Sequence, residues 1–313
     1  MDWDCIVVGG GPAGLSAALT LGRARRRVLV LDAGTPRNHC SASMHGYLTR
    51  DGLSPADFLR IAREQLEPYG GVTVRDAEAA DAERSGDGFR VRLGADESGE
   101  WLEGRTLLLA TGVVDDVPVI EGIDRFYGRT VHHCPYCDGW EHRDAPIAVY
   151  GCTETAAKYA IALTVWSADI VICTDGFPVF SPELAGELAA HGIAIYPQKI
   201  ARLEGQGDRL ARIVLDDGTA IARTGLFFCT GQRQRSGLAA KLGCHFTEAG
   251  AVATGDSEAT DVPGLFVAGD ASRDAQLVVV AAAEGALAAV AINTLLTRHD
   301  LLATVTPAAP HAR

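Results

Sequence analysis

"DWDCIVVGGGPAGLSAALTLGRARRRVLVLDAG", residues 2 to 34, decides the fold. A β-branched apolar run, a glycine-rich turn, an Ala/Leu stretch of helical period and a second apolar run ending in an acid together predict a βαβ unit. Gly9, Gly11 and Gly14 have the GxGxxG spacing, with Pro12 and Ala13 between them. The first glycine turns the chain, the second lets backbone approach a pyrophosphate, and the third lets helix and strand pack closely. Helix amides then face the phosphates. Asp32, ending the second run, stands where a carboxylate accepts hydrogen bonds from ribose hydroxyls. A lone glycine fingerprint is a weak signal; here strand, turn, helix, strand and acid all fall in order, so a bound dinucleotide is expected.

The same rhythm returns at residues 145 to 176, "APIAVYGCTETAAKYAIALTVWSADIVICTDG". Gly151 keeps the turn glycine, but Thr153 stands in place of the second and Ala156 in place of the third. A Cβ at position 153 obstructs close approach to a pyrophosphate. Asp175 suits a ribose and repels a 2′-phosphate, and no arginine cluster follows to receive one. The expected fold class is therefore α/β, with two Rossmann-like dinucleotide-binding domains, the second degenerate. "TLLLATG" (106 to 112) and "GLFVAGDAS" (264 to 272) read as further strands of the first domain. That domain is then discontinuous, 1–115 and 238–313, with 116–237 inserted. Residues 76 to 100 read as a hairpin and surface loop.

Forty acidic residues against 28 basic ones, a net charge of −12, make a nucleic acid partner unexpected. The apolar stretch beginning "AQLVVVAAAEGALAAVAINTLL" is interrupted by Glu284 and Gly285 and reads as a buried helix, not a membrane span. The N-terminus carries acids where a secretory signal carries positive charge, so a cytoplasmic protein is expected. Of eight cysteines, only Cys134 and Cys137 have a close, motif-like spacing, which does not fit a disulfide-stapled scaffold.

That pair lies in "HHCPYCDGWEH", residues 132 to 142. Three readings compete: a zinc clamp with His132, His133 or His142, inert thiols, or a redox pair. Structural zinc wants a second CxxC or an HxxxH partner, and the remaining cysteines are single. Two intervening residues, one a proline, hold the sulfurs close enough to bond, and a neighbouring imidazolium stabilises a thiolate. The redox reading fits best, and no metal is expected.

With "GGGPAG", Asp32, "ATG" at 110 to 112, CxxC followed by Asp-Gly, and "GLFVAGDAS", the chain resembles the bacterial, low-molecular-weight thioredoxin reductase class of flavoproteins over nearly its whole length. The resemblance implies that the first glycine motif binds FAD, with Ala110, Thr111 and Gly112 beside it. It implies that Gly269 and Asp270 meet the ribityl-pyrophosphate region, that Gln276 and Leu277 open the helix facing the flavin ring, and that the loop 36 to 52 faces the flavin. His45 of that loop is a flavin contact by family position or an ordinary capping histidine. Cys134 is implied to be the thiol that meets substrate, Cys137 the one that contacts the flavin, and Asp138 the acid/base residue. His133 either assists as base or charge or is a solvated loop residue. Homodimers are usual in the family.

The departures narrow the resemblance. The damaged second glycine motif, the absent basic motif, "CPYCDGWE" and "DAQLVVVAAAEG" look like a subgroup of thioredoxin reductase-like dithiol oxidases, which includes the gliotoxin, holomycin and romidepsin oxidases. These are FAD enzymes that close a disulfide in a small natural product without a nicotinamide cofactor and pass electrons to O2, giving H2O2. The expected partners are therefore a small dithiol and O2. Two alternatives stay open: an NAD(P)H-dependent thioredoxin-type disulfide reductase, for which Asp175 suits NADH, and a non-catalytic flavin-binding redox sensor.

Overall fold

The computed structural model describes residues 1–94, 96 and 98–304. The chain forms two compact units. Unit 1 comprises Met1–Arg37, Ala56–Val114 and the stretch from Gln234 onward; unit 2 comprises Asn38–Pro55 and Asp115–Arg233. Both are α/β and of the dinucleotide-binding type. The sequence reading kept 38–55 in the first domain. Instead this segment packs within unit 2, where a Cβ on Gly128 would lie 2.6 Å from the carbonyl carbon of Cys40. Residues 305–313, the end of the expected first domain, lie outside the described residues.

Unit 1 is built on β1 (Trp3–Val8), α1 (Pro12–Arg23), β2 (Val28–Asp32), α2 (Pro55–Glu64), β3 (Val72–Asp76), β4 (Ala79–Ser85), β5 (Gly88–Leu93) and β6 (Trp101–Leu109). Its sheet runs β3-β2-β1-β6-β5-β4, and Leu265–Val267 pairs with the later part of β6. β1, β2, β3, β6 and 265–267 are parallel; β4 and β5 form the expected antiparallel hairpin. A parallel strand covered on both faces needs an unbroken apolar run. Val28 to Leu31 of β2 supply one, each no more than 1% exposed. Val8 pairs with both Leu31 and Leu109, and Leu109 with Val267. The carboxyl ends of four strands therefore come level, and ligands of such sheets bind outside those ends.

The long helix Val278–Thr304 packs against α1. Gly285 makes this possible: a Cβ there would lie 2.7 Å from the carbonyl carbon of Ala13. Ala288, Ala289, Ile292 and Leu296 are buried in one cluster with Ala17, Ala18 and Leu21 of α1. By length and composition this helix is able to cross a membrane, but the stripe it presents to α1 is core.

Unit 2 carries a parallel sheet in the order 194–196, 170–173, 147–150, 225–228, 131–132, and a separate antiparallel sheet of Ile200–Gln206, Arg209–Leu215 and Ala220–Ala222. His132 pairs with Phe227 at the carboxyl end of the edge strand. The chain leaves that end as His133 and Cys134, then enters the single helical turn Pro135–Asp138.

Candidate active site

Gly9 follows β1 at φ +112°, and a Cβ on it would lie 2.7 Å from the carbonyl carbon of Ala110 and 3.3 Å from the amide of Thr111. Only glycine lets the first turn and the 110–112 turn approach so closely. Gly11 caps α1 with no side-chain hydrogen bond, and Pro12 opens the helix. A Cβ on Gly11 would meet nothing within 4 Å. Open space beside uncapped helix amides is what a pyrophosphate requires, so the residues fit the dinucleotide the motif implies. Ala13 lies under the next turn, its Cβ 3.1 Å from where one on Gly269 would be.

Asp32 stands at the end of β2. One carboxylate oxygen accepts the Gly34 N–H at 3.0 Å, and the other is paired with Arg63 of α2. A carboxylate has further lone pairs, so a ribose hydroxyl still finds an acceptor. Across the sheet end, Arg37 donates from Nη1 to Asp270 Oδ2 at 2.8 Å and to Gln276 Oε1 at 2.6 Å. The Gln276 amide in turn donates to the Arg273 carbonyl, and Leu277 leads into the long helix. Gly269 is held from behind by Glu284, which also pairs with Arg273. Unit 1 thus brings together every residue assigned to the flavin except His45. His45 lies in unit 2, with Ser43 Oγ at 3.2 Å, Asp51 at 3.5 Å and Glu141 at 3.6 Å.

Cys134 and Cys137 are joined in a disulfide, with Cα atoms 5.3 Å apart. The turn Pro135–Asp138 sets this span, and the Asp138 amide donates to the Cys134 carbonyl at 3.2 Å. Both cysteines are partly exposed. Tyr136 between them is 77% exposed, its ring edge-on to Trp166 at 5.6 Å between centroids. Cys5 and Cys173 are different: burial pushes both thiols up to about 12, so they stay protonated and inert. Burial raises Cys229 and Cys244 as well.

The histidines separate. His132, not His133, meets Asp138: Nδ1 lies 3.1 Å from Oδ1, with the two side chains 5% and 20% exposed. His132 Nε2 lies 3.1 Å from the Arg129 carbonyl and 3.1 Å from Nε2 of His142. Burial and the neighbouring His132 push His142 down to about 4. His133 points elsewhere, with Nδ1 3.7 Å from Asp115 and 3.4 Å from the Tyr127 hydroxyl, while its carbonyl accepts the Tyr159 hydroxyl at 2.8 Å. Among the described residues, no group of three or more His, Cys, Asp or Glu side chains is placed to hold a metal ion.

The second glycine turn is closed by its own side chains. Thr153 caps the helix Glu154–Ala162, its hydroxyl accepting the Ala156 N–H at 3.4 Å, an amide of the kind a phosphate would use. The Val179 amide bonds the Cys152 carbonyl at 2.7 Å, laying the loop after Asp175 against the turn. Asp175 itself accepts the Tyr150 hydroxyl at 3.0 Å.

Arg37, Arg63, Glu284 and His142 were not assigned these roles by the sequence reading. Their partners lie from 10 residues away, for His142, to 233, for Arg37, and the sequence marks only the Ala-rich run interrupted at Glu284 and the histidines of "HHCPYCDGWEH". A family model for pyridine nucleotide-disulphide oxidoreductases matches residues 3–285. Thioredoxin reductase sirT of Leptosphaeria maculans is 31% identical over 316 residues, spanning 96% of this chain and 96% of its own. Thioredoxin reductase tcpT of Claviceps purpurea is 32% identical over 280 residues, spanning 85% and 86%. Among solved structures, that of HlmI superposes with a TM-score of 0.92 at 36% identity, covering 97% of this chain and 95% of that one.

Proposed function

Because the chain belongs to the pyridine nucleotide-disulphide oxidoreductases, in their thioredoxin reductase-like group, we propose that it is an FAD-dependent dithiol oxidase. Its substrate is a small, natural-product-like dithiol, which leaves as an intramolecular disulfide; O2 is the final acceptor and H2O2 the product. The observation that carries this reading is the self-capped second turn. Thr153 takes the helix amide that a nicotinamide nucleotide's phosphate needs, and the Val179 amide lays the following loop against the same turn. A unit so closed supports electron delivery from a dithiol in preference to NAD(P)H.

FAD, held by the Gly9–Gly14 turn, Asp32, Ala110–Gly112 and Gly269–Leu277, supplies two-electron acceptance when bound. The protein's own part begins at sulfur. One substrate thiolate attacks Cys134, breaking its bond to Cys137 and forming a mixed disulfide. The second substrate thiol, giving up its proton, attacks the substrate sulfur of that bond; the product leaves oxidised and Cys134 and Cys137 are left reduced. Asp138 takes and returns protons through this exchange. Tyr136, on the turn that carries the cysteines, and Trp166, which packs edge-on against it from beyond the helix Glu154–Ala162, offer aromatic surface suited to a small apolar substrate. By family habit the enzyme works as a cytoplasmic homodimer.

The names of the fungal relatives favour a second reading, an NAD(P)H-dependent reductase of a protein disulfide. Mixing the FAD-loaded protein anaerobically with NADPH, NADH or dithiothreitol separates the two. The oxidase reading expects the flavin band to bleach with the dithiol alone, and peroxide to form when air is admitted. Rapid bleaching by either nicotinamide establishes the reductase. A protein whose flavin is reduced once and never turns over would be a redox sensor.

A further inference from the structure

We propose that His132 is a positioning residue that shares one proton with Asp138, holding the net charge beside the reduced Cys134–Cys137 pair at zero, and that His142 fixes His132 in that role. The inference rests on Cys134–Cys137 being the working redox pair. It is indifferent to whether oxygen or a nicotinamide is the electron partner.

The assignment of protons follows from the partners. A backbone carbonyl only accepts, so the Arg129 oxygen, 3.1 Å from His132 Nε2, requires the proton on that nitrogen. His142 Nε2, also 3.1 Å from it, must then present a lone pair. A neutral His142 does so with its own proton on Nδ1, and its burial against His132 favours that neutral form. With Nε2–H fixed, the other face of His132 is decided as well. Its Nδ1 lies 3.1 Å from Asp138 Oδ1 in a setting where His132 is 5% exposed. Two lone pairs would face each other there unless one proton lies between them. Imidazolium beside carboxylate, or imidazole beside carboxylic acid, gives the same total charge.

The described groups around this pair have partners of their own. Phe227 covers His132 at 5.5 Å between ring centroids. Tyr159, from the helix Glu154–Ala162, faces Asp138, but burial raises its pKa and keeps it neutral, and its hydroxyl is bonded to the His133 carbonyl. His133 is engaged with Asp115 and Tyr127.

The consequence is chemical. When the substrate disulfide forms, the Cys134–Cys137 bond breaks, two electrons pass to the cysteine pair and two protons leave the substrate thiols. The cysteine that remains a thiolate must exist beside Asp138, which follows Cys137 directly and lies in the same helical turn. A bare carboxylate there raises the thiol pKa, whereas a carboxylate sharing a proton with His132 does not.

The test reads the thiols directly. The protein is reduced with dithiothreitol, freed of it, and alkylated with iodoacetamide across a pH series, with Cys134 and Cys137 followed by mass spectrometry. His132→Asn leaves Asp138 as a lone carboxylate, and we expect the alkylation profile to move up by about one pH unit, roughly tenfold slower at pH 7. His132→Asn combined with Asp138→Asn removes that carboxylate, and the profile returns to that of Asp138→Asn alone. A His132→Asn profile that superimposes on the wild type, or a double variant as slow as His132→Asn, overturns the proposal, since a merely structural histidine is not rescued by neutralising Asp138. Should His132→Asn fail to fold, wild-type protein carrying 15N-histidine answers instead. Nε2 of His132 is expected protonated and Nε2 of His142 bare at pH 7; a proton on His142 Nε2 overturns the assignment. None of these readings uses an electron acceptor, so their failure is distinct from failure of the oxidase function.

Discussion

Glu284, within the long C-terminal helix, accepts the backbone N–H of Gly269 through Oε2 at 2.7 Å. Its other oxygen pairs with Arg273 at 2.8 Å, and Arg273 reaches on to Glu258, which is 1% exposed. The turn that carries Asp270 is thus fastened to a helix whose own place is set by Gly285 against Ala13. Burial pushes the Glu284 carboxyl above its usual range, opposed by the Gly269 amide. Replacing Glu284 with alanine leaves Gly269 unpaired and Glu258 with a less constrained cation. We expect a loss of roughly 3 kcal/mol in urea unfolding, and FAD that washes out on ultrafiltration. Full FAD retention in E284A would show that the turn holds its shape without the anchor.

Thr153 closes the second glycine turn, so T153A should cost about 1 kcal/mol of stability, as the loss of a helix N-cap does. T153G uncaps the helix amides, and combining it with Y150F also removes the hydroxyl that Asp175 accepts. Calorimetry is expected to detect NADH binding to that double variant and none to the wild type. Equal binding by the two proteins would mean that the cap is no barrier.

Cys137→Ser leaves Cys134 without a resolving partner. Mixed with the linear disulfide of a small monothiol, which leaves no pendant thiol to reverse the attack, the variant should accumulate a stable adduct on Cys134, visible by intact mass, while peroxide production from a dithiol stops. An adduct on the reciprocal variant, C134S, and none on C137S would reverse the two cysteine roles.

His142 supplies a pH dependence of stability. Its folded pKa is depressed to about 4 by burial and by His132. A depressed histidine contributes stability that is fully present above the ordinary imidazole range and is lost as pH falls through its folded value. Between pH 7 and about 4, the wild type should therefore lose up to about 3 kcal/mol more than H142N, measured by denaturant midpoints at each pH. Parallel curves for the two proteins would show that His142 is already charged or solvated.

What the residue order determined by itself is what repeats at short range. The glycine spacing from Gly9 to Gly14, the strand runs, the acid at Asp32 and the CxxC followed by Asp138 are each set by strand and helix periods or by the reach of one turn, so they are legible along the chain. The damage at Thr153 is legible for the same reason. Tertiary structure alone decided the rest. Arg37 meets Asp270 across 233 residues, Glu284 meets Gly269 only because two helices pack at a glycine, and 38–55 joins unit 2 because Gly128 admits its backbone. The two adjacent histidines make the point most sharply. At the end of an edge strand, successive side chains point to opposite sides, so one position turns His132 to Asp138 and His142 while His133 goes to Asp115. Nothing in "HHCPYCDG" says which histidine faces the carboxylate until the strand's register with Phe227 is known.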